Sequence, residues 1–330
     1  MGPASSLGTK GARMTRILTI TMNPSVDVST TVERVIPSRK LRCGPSRRDP
    51  GGGGINVARV AKRLGAEVVA LYTAGGDKGQ LLRRLIGLEG LEGISLPIAE
   101  DTREDFTVDE TTSGQEFRFV SEGPTLNEGE WRAALAMISE LRIPFDYIVA
   151  SGSLPPGVPD DFYAQVASIA KARGIPIALD ASGAALRSAF RASVDVLKPS
   201  LSELRDLMGL PLADPAACIG ACQRLVQEDK AKVVALTLGS QGAIVVSARK
   251  VLRAWPLPIN VVSTVGAGDS FLAALICSLG EGRSLTEAFR RAVAAGTAAL
   301  VAPGTQLCRV ADVDEMEPHV HIDRMDVLID

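Results

Sequence analysis

The chain has 330 residues, 46% of them hydrophobic, with 36 Lys and Arg against 38 Asp and Glu. A net charge of −2 leaves no broad electrostatic basis for nucleic-acid or acidic-membrane binding, and no apolar run reaches the ~20 residues that a membrane span needs. A soluble, cytoplasmic protein acting on small molecules is expected, its five scattered cysteines reduced and Cys218 and Cys222 sharing a helix. The length suits one large α/β domain with an excursion.

Residues 1–13 are small and polar and lack an apolar signal core, so they read as an unstructured leader or tag remnant ahead of a single domain over 14–330. Residues 16–22 alternate and are β-rich, which predicts a first strand ending at Asn23-Pro24-Ser25-Val26-Asp27. Residues 28–48 read as extended ribbon. Four glycines, Gly51 to Gly54, then precede residues 55–64, whose apolar spacing is helical. After a strand over 68–72 and a helix over 79–88, residues 102–120 return to ribbon. Strand and helix then alternate at 147–150 with 161–172, 175–179 with 184–190, and 194–197 with 201–208. A helix over 215–227 precedes a strand over 233–238, and an apolar helix follows over 271–279. This rhythm implies a mainly parallel central sheet covered by helices on both faces, with ligands beyond the carboxyl ends of the strands. The ribbons at 28–48 and 102–120 are expected to form a small β lid. The only two histidines, His319 and His321, alternate as on an exposed edge strand. Neither a Ser-His-Asp triad nor a three-histidine zinc site is therefore expected, and acid–base work falls to carboxylates, lysines or tyrosines.

The run Ser263-Thr264-Val265-Gly266-Ala267-Gly268-Asp269-Ser270 joins a tight small-residue turn to an apolar helix. Consecutive N–H groups there can point at one anion, reinforced by the positive end of the helix. A carboxylate beside that anion cannot bind phosphate, so Asp269 suits proton abstraction from an attacking hydroxyl. An ordinary strand-to-helix turn fits the octet equally well. Gly51 to Gly54 leading into Asn56 could admit a polyol, or form a surface turn; the glycines come too late for a dinucleotide fingerprint. Asp27 could accept sugar hydroxyls or close an Asx turn. Lys40, Arg42, Arg103 and Arg118, on the lid, include forks suited to a phosphate, although most such charge is plain surface. Ser200 and Glu203 have the spacing of a capping box, the stronger reading, while Glu203 could also organise magnesium-bound water. Residues 237–242 form a glycine-containing turn between two strands, either a nucleotide cradle or a hairpin.

In combination, Asn23 to Asp27, Gly51 to Arg59, Ser151-Gly152-Ser153-Leu154-Pro155-Pro156-Gly157, Lys198-Pro199 and Ser263 to Asp269 resemble the phosphofructokinase B family of ribokinase-like sugar kinases. Lys40-Leu41-Arg42-Cys43, the unbroken Gly51 to Gly54, Arg118-Phe119 and Gly304-Thr305-Gln306-Leu307-Cys308 look most like its bacterial minor-type 6-phosphofructokinases. The resemblance implies a ribokinase-like three-layer α/β sandwich with a β-sheet lid, and transfer of phosphate from ATP to the C1 hydroxyl of fructose 6-phosphate. Tagatose 6-phosphate or fructose 1-phosphate as acceptor, or a non-catalytic sensor, are the alternatives. It would make Asp269 the base and the Gly266, Ala267 and Gly268 amides the anion hole. Asp27, Gly52, Gly53 and Asn56 would hold the sugar; Lys40, Arg103, Arg118 and Ser153 would sit at its phosphate. Lys198, Ser200, Thr237, Gly239 and Gly242 would line the ATP site, Glu203 would steer Mg²⁺ indirectly, and Ser263, Val265, Ala299 and Gly304 would mark a K⁺ site. A homodimer through the lid is also implied. The chain departs from the family pattern at Ser200, usually Asn, and at Ala302 and Gln306, where the nearest relatives carry Asn and Arg.

Overall fold

β1 (Arg16–Thr21) sorts its side chains by alternation: Ile17 packs into one apolar cluster, Leu18 and Ile20 into the other. A strand buried on both faces must lie inside a sheet covered by helices on both sides. The computed structural model describes residues 14–325, so the expected leader lies outside the described residues.

The chain continues through β2 (Ser25–Val32), β3 (Arg47–Gly51), α1 (Gly53–Arg63), β4 (Glu67–Ala74), α2 (Gly76–Leu88), β5 (Glu92–Pro97), β6 (Arg103–Glu110) and β7 (Glu116–Phe119). Next come α3 (Glu128–Glu140), β8 (Tyr147–Ser151), α4 (Phe162–Ala172), β9 (Ile177–Asp180), α5 (Gly183–Ala189), β10 (Val194–Leu197), α6 (Leu201–Met208), α7 (Pro215–Gln227) and β11 (Ala231–Thr237). The last segment holds β12 (Ala243–Ser247), β13 (Lys250–Ala254), α8 (Ala267–Gly280), α9 (Leu285–Leu300), α10 (Val310–Met316) and β14 (Ile322–Met325).

The large sheet has ten strands in the order β14-β13-β12-β11-β10-β9-β8-β1-β4-β5. From β5 to β11 neighbours are parallel, and β12, β13 and β14 are added antiparallel at one edge. One cluster packs α1, α2, α8, α9 and α10 on one face; the other packs α3 to α7 on the opposite face. The expected three-layer α/β architecture is therefore present. Asn127 with Glu130, Ser200 with Glu203, and Ser284 with Glu287 start α3, α6 and α9 with reciprocal capping boxes, fixing where those helices begin. Among the described residues no helix is long and apolar enough to cross a membrane. Cys43 is exposed, the other four cysteines are buried, and Cys218 and Cys222 lie on α7.

The lid is a four-stranded sheet, β3-β2-β6-β7, mixed in direction: β2 runs parallel to β6, and the outer pairs are antiparallel. Its first half differs from the expected ribbon over 28–48. Strand begins at Ser25, stops at Val32 and resumes only at Arg47, because Pro37 and Pro45 offer no N–H to a ladder. The histidines differ as well. His319 closes a short 3₁₀ turn opened by Pro318, and His321 precedes the edge strand β14 rather than lying on it, pairing with Asp323 at 2.9 Å.

The glycine run marks where α1 meets the sheet. Gly52 has φ 107, a left-handed value that favours glycine, and a side chain at Gly54 would stand 2.6 Å from the Ile20 carbonyl and against the Thr21 hydroxyl. Gly54→Ala is accordingly expected to destabilise the protein by ~1–3 kcal/mol, read as a lower midpoint in urea with an unchanged slope.

Candidate active site

Gly266, the residue that leads into α8, adopts φ 72 and ψ 6, and no side chain caps this end of the helix. The first amides of the helix thus face the cleft together with its positive pole. Asp269 lies in that first turn, and its Oδ2 accepts a 2.9 Å hydrogen bond from Nδ2 of Asn56 on α1. The carboxyl is partly open to the cleft but hemmed by protein. Burial lifts its pKa to about 6, Asp180 and Asp27 add to the rise, and Asn56 and Lys198 oppose it.

Lys198, just past β10, is buried and pairs with Asp180 at the end of β9, Nζ to Oδ1 3.1 Å. Burial works against the ammonium charge, yet Asp180, Glu203 and Asp269 together outweigh it and raise its pKa. Asp180 is also raised, by burial above all. A Cβ placed on Gly268 would lie 3.3 Å from Lys198 Nζ, so this cation stands directly at the mouth of α8. An ammonium and uncapped amides converging on one spot favour an anion there.

Beside that spot opens a cavity of about 680 Å³ between the α8 and α9 layer and the β11–β12 turn. Ser200, Thr237, Gly239, Gly242, Gly268 and Gly296 line it, with Pro256, Leu257 and Ile259 supplying an apolar wall. The turn over residues 237–242 is both a hairpin and a wall of the cavity. Ser200 and Glu203 form the expected capping box, with Ser200 N–H donating to Glu203 Oε2 at 2.7 Å.

Strand register puts Ser25, Asp27, Arg103, Asp105, Thr107 and Arg118 on one face of the lid. Burial raises the pKa of Asp27, while Ser25 donates to it at 2.5 Å. Arg103 is heavily engaged: it donates to the carbonyls of Asn23 and Ser121 and pairs with Asp105 at 3.0 Å. Arg118 is exposed on β7 and makes no ion pair among the described residues; Lys40 is exposed in the loop after β2. Ser153 accepts a hydrogen bond from Asn23 Nδ2 at 3.2 Å.

The segments carrying Ser263 and Val265 and carrying Ala299 and Gly304 lie side by side, tied by the Val262 and Ser263 amides to the Leu300 carbonyl. Ser263 Oγ donates to Glu116 on β7 at 2.7 Å, so the lid tip touches the turn that leads into α8. Among the described residues no group of three or more His, Cys, Asp or Glu is placed to hold a metal ion. Magnesium here fits only with ligands supplied mostly by phosphate and water.

The sequence reading missed Asp180, Arg59 and Glu116. Asp180 carried a usable signal, since Ile177-Ala178-Leu179-Asp180 ends a parallel core strand in a carboxylate, where ligands gather. Arg59 interrupts the apolar face of α1 three residues after Asn56. Glu116 carried none, because its partner Ser263 is 147 residues away.

Comparison with known proteins agrees with this geometry. The chain is 42% identical over 299 residues to the ATP-dependent 6-phosphofructokinase isozyme 2 of Mycobacterium tuberculosis, covering 91% of this chain and 88% of that protein. The crystal structure of phosphofructokinase-2 from Escherichia coli in complex with potassium superposes with a TM-score of 0.89 at 38% identity, covering 93% of this chain and 99% of that one. The same Escherichia coli enzyme in complex with fructose-6-phosphate gives 0.87 at 37% identity, with the same coverage. Residues 18–312 match the pfkB family carbohydrate kinase, and the chain belongs to that family.

Proposed function

We propose that this chain phosphorylates the C1 hydroxyl of fructose 6-phosphate with ATP, giving fructose 1,6-bisphosphate and ADP. The observation that carries this reading is the carboxylate of Asp269 placed within the first turn of an uncapped, lysine-flanked helix end. A binder of anions has no use for a carboxylate there; a kinase needs one to take the hydroxyl proton. The 6-phosphofructokinase names of its relatives support fructose 6-phosphate as acceptor.

In this reading Asp269 accepts the C1 proton as the C1 oxygen forms its bond to the γ-phosphorus. The bond from that phosphorus to the bridging oxygen breaks, and its electron pair leaves with ADP. The Gly266, Ala267 and Gly268 amides and Lys198 hold the moving phosphoryl, where positioning and charge neutralisation dominate the chemistry. Asp27, Gly52, Gly53 and Asn56 take the sugar hydroxyls. Arg118 and Lys40, exposed and without an ion pair among the described residues, close on the sugar phosphate with Ser153, while Arg103 supplies positive field from its fixed position. Thr237, Ser200, Gly239 and Gly242 wall the nucleotide. Bound Mg²⁺ would offset charge on the donor phosphates, with Glu203 and water at its edge; K⁺ would order the turn between Ser263, Val265, Ala299 and Gly304.

The opposite lid face leaves Phe106 and Phe119, paired across β6 and β7, exposed at 45% and 58%. Two large aromatic side chains paired on an open sheet face favour pairing with a second copy of this chain. Wild-type protein is expected to sediment as a dimer and Phe119→Asp as a monomer; a wild-type monomer at saturating fructose 6-phosphate would remove the dimer.

Purified protein with MgATP is expected to release ADP on fructose 6-phosphate faster than on fructose 1-phosphate or tagatose 6-phosphate. Asp269→Asn should lower kcat by ~10²–10⁴-fold. Preference for another phosphosugar would reassign the acceptor, and no release with any of them would leave the sensor reading.

The pKa of Asp269 gives two further outcomes. Activity should fall as pH drops below about 6, where the base takes up its proton. Because the folded-state value lies above the ordinary 3.8, the folded protein holds this proton more tightly, and ionisation between those values costs stability that stays lost at higher pH. Asp269→Asn should therefore melt higher than wild type at pH 8, by on the order of 2–3 kcal/mol, with the gap closing as pH falls through 6.

A further inference from the structure

Arg59 is the largest of the fully buried side chains among the described residues. A guanidinium removed from water needs a partner for each donor edge, or its desolvation goes uncompensated. Glu89, capping the C-terminus of α2, accepts from Nε at 3.0 Å and Nη2 at 2.7 Å. Nη2 also lies 3.6 Å from Asp49 on β3. The remaining nitrogen, Nη1, donates to the carbonyls of Pro50 and Thr305 at 3.3 Å and to Asn56 Oδ1 at 3.4 Å.

The contact with Asn56 bears on the chemistry. An amide side chain can turn either its oxygen or its nitrogen to a neighbour. A guanidinium donates and never accepts, so beside it only Oδ1 is tolerated, and Nδ2 is left to face Asp269 Oδ2 at 2.9 Å. We propose that Arg59 is a positioning residue for phosphoryl transfer: by holding Asn56 Oδ1 it aims Nδ2–H at Asp269. Through the Pro50 and Thr305 carbonyls it also keeps the glycine turn and the 303–306 loop in register with that base. This rests on the reading of Asp269 as the base.

The charged groups facing Asp269 from other elements are Asp180 at the end of β9, Lys198 after β10 and Asp27 on β2; around Arg59 stand Glu89, Asp49 and, sharing Glu89, Arg63. Asn56 is one of two groups that favour the ionised base. If it turns, the base holds its proton to higher pH.

The test is the acid limb of kcat. Arg59→Lys keeps the charge but loses the fork, so a shift in this variant reports orientation rather than net field. Its limb is expected about half a pH unit higher than wild type, with kcat lowered ~10-fold or more and KM for ATP within ~3-fold. A limb that does not move, with the fold intact by circular dichroism, overturns the proposal while wild-type turnover leaves the kinase reading standing. An inactive wild type overturns both. Should Arg59→Lys fail to fold, Glu89→Gln decides. Removing a negative charge acts through space to lower the limb, whereas releasing Arg59 from its anchor raises it. An upward shift supports the proposal; a downward shift or none overturns it.

Discussion

A carboxylate and a phosphoryl group repel, yet Asp269 stands in the very turn whose amides and dipole favour an anion. Most of the surrounding arrangement answers that conflict. Lys198 reaches Gly268 from just past the end of β10, so positive charge lies at the mouth of α8 rather than on the Asp269 carboxyl. Asn56 donates to Asp269 and favours its ionised form. Asp180 and Asp27 push the opposite way, and with burial they hold the Asp269 carboxyl at about 6, the range a proton acceptor in the proposed reaction needs. A carboxylate at its ordinary value would be a weak proton acceptor; one raised much further would be protonated at neutral pH.

Such closeness depends on backbone without side chains. At Gly53 a Cβ would press on Ser151 Oγ and lie 3.1 Å from the Gly152 amide, so the start of α1 sits directly against the end of β8. That contact sets Asn56, one turn later, at hydrogen-bonding distance from α8. The same helix carries Arg59, which anchors the lid strand β3 through Asp49 and the 303–306 loop through Thr305. Thr305 closes the circuit by donating Oγ1 to Asp49 at 2.6 Å. The lid strand β3, α1 and the 303–306 loop are thereby fastened through one buried cation.

The parallel core was legible because its strands are short apolar runs, each followed by a helix with clear periodicity, and the bounds of α7 read correctly from Pro215 onward. The lid was legible only in part. Residues 33–46 hold Pro37, Gly44, Pro45 and five charged side chains, unlike the Val- and Thr-rich β2, so the break between β2 and β3 was written in local turn chemistry that an unbroken ribbon over 28–48 passed over. At the site, motifs local in sequence were visible: the turn before α8, the glycine run, the capping box at Ser200. What stayed hidden were side chains whose meaning lies in distant partners. Arg59 reads as an ordinary helix residue until Glu89 and Thr305 are folded against it, and Arg103 reads as a free fork although three neighbours already occupy it.

Arg103 and Arg118 show how one lid face divides its labour. Both belong to the row that includes Asp27, but Arg103 is fixed by two carbonyls and a carboxylate near the hinge of the lid, whereas Arg118 is exposed near its tip. A fixed guanidinium adds a constant field, easing the charge on Asp27 without moving. A free one can follow an anion as it arrives, at an entropic cost set by its long side chain. Glu116 lies two residues from Arg118 on the same strand and binds Ser263, so the strand that meets an incoming anion also touches the turn ahead of α8. Any shift of β7 would therefore be felt at the mouth of α8 through one hydrogen bond, which in the proposed reading would link acceptor binding to the amides that receive the phosphoryl group.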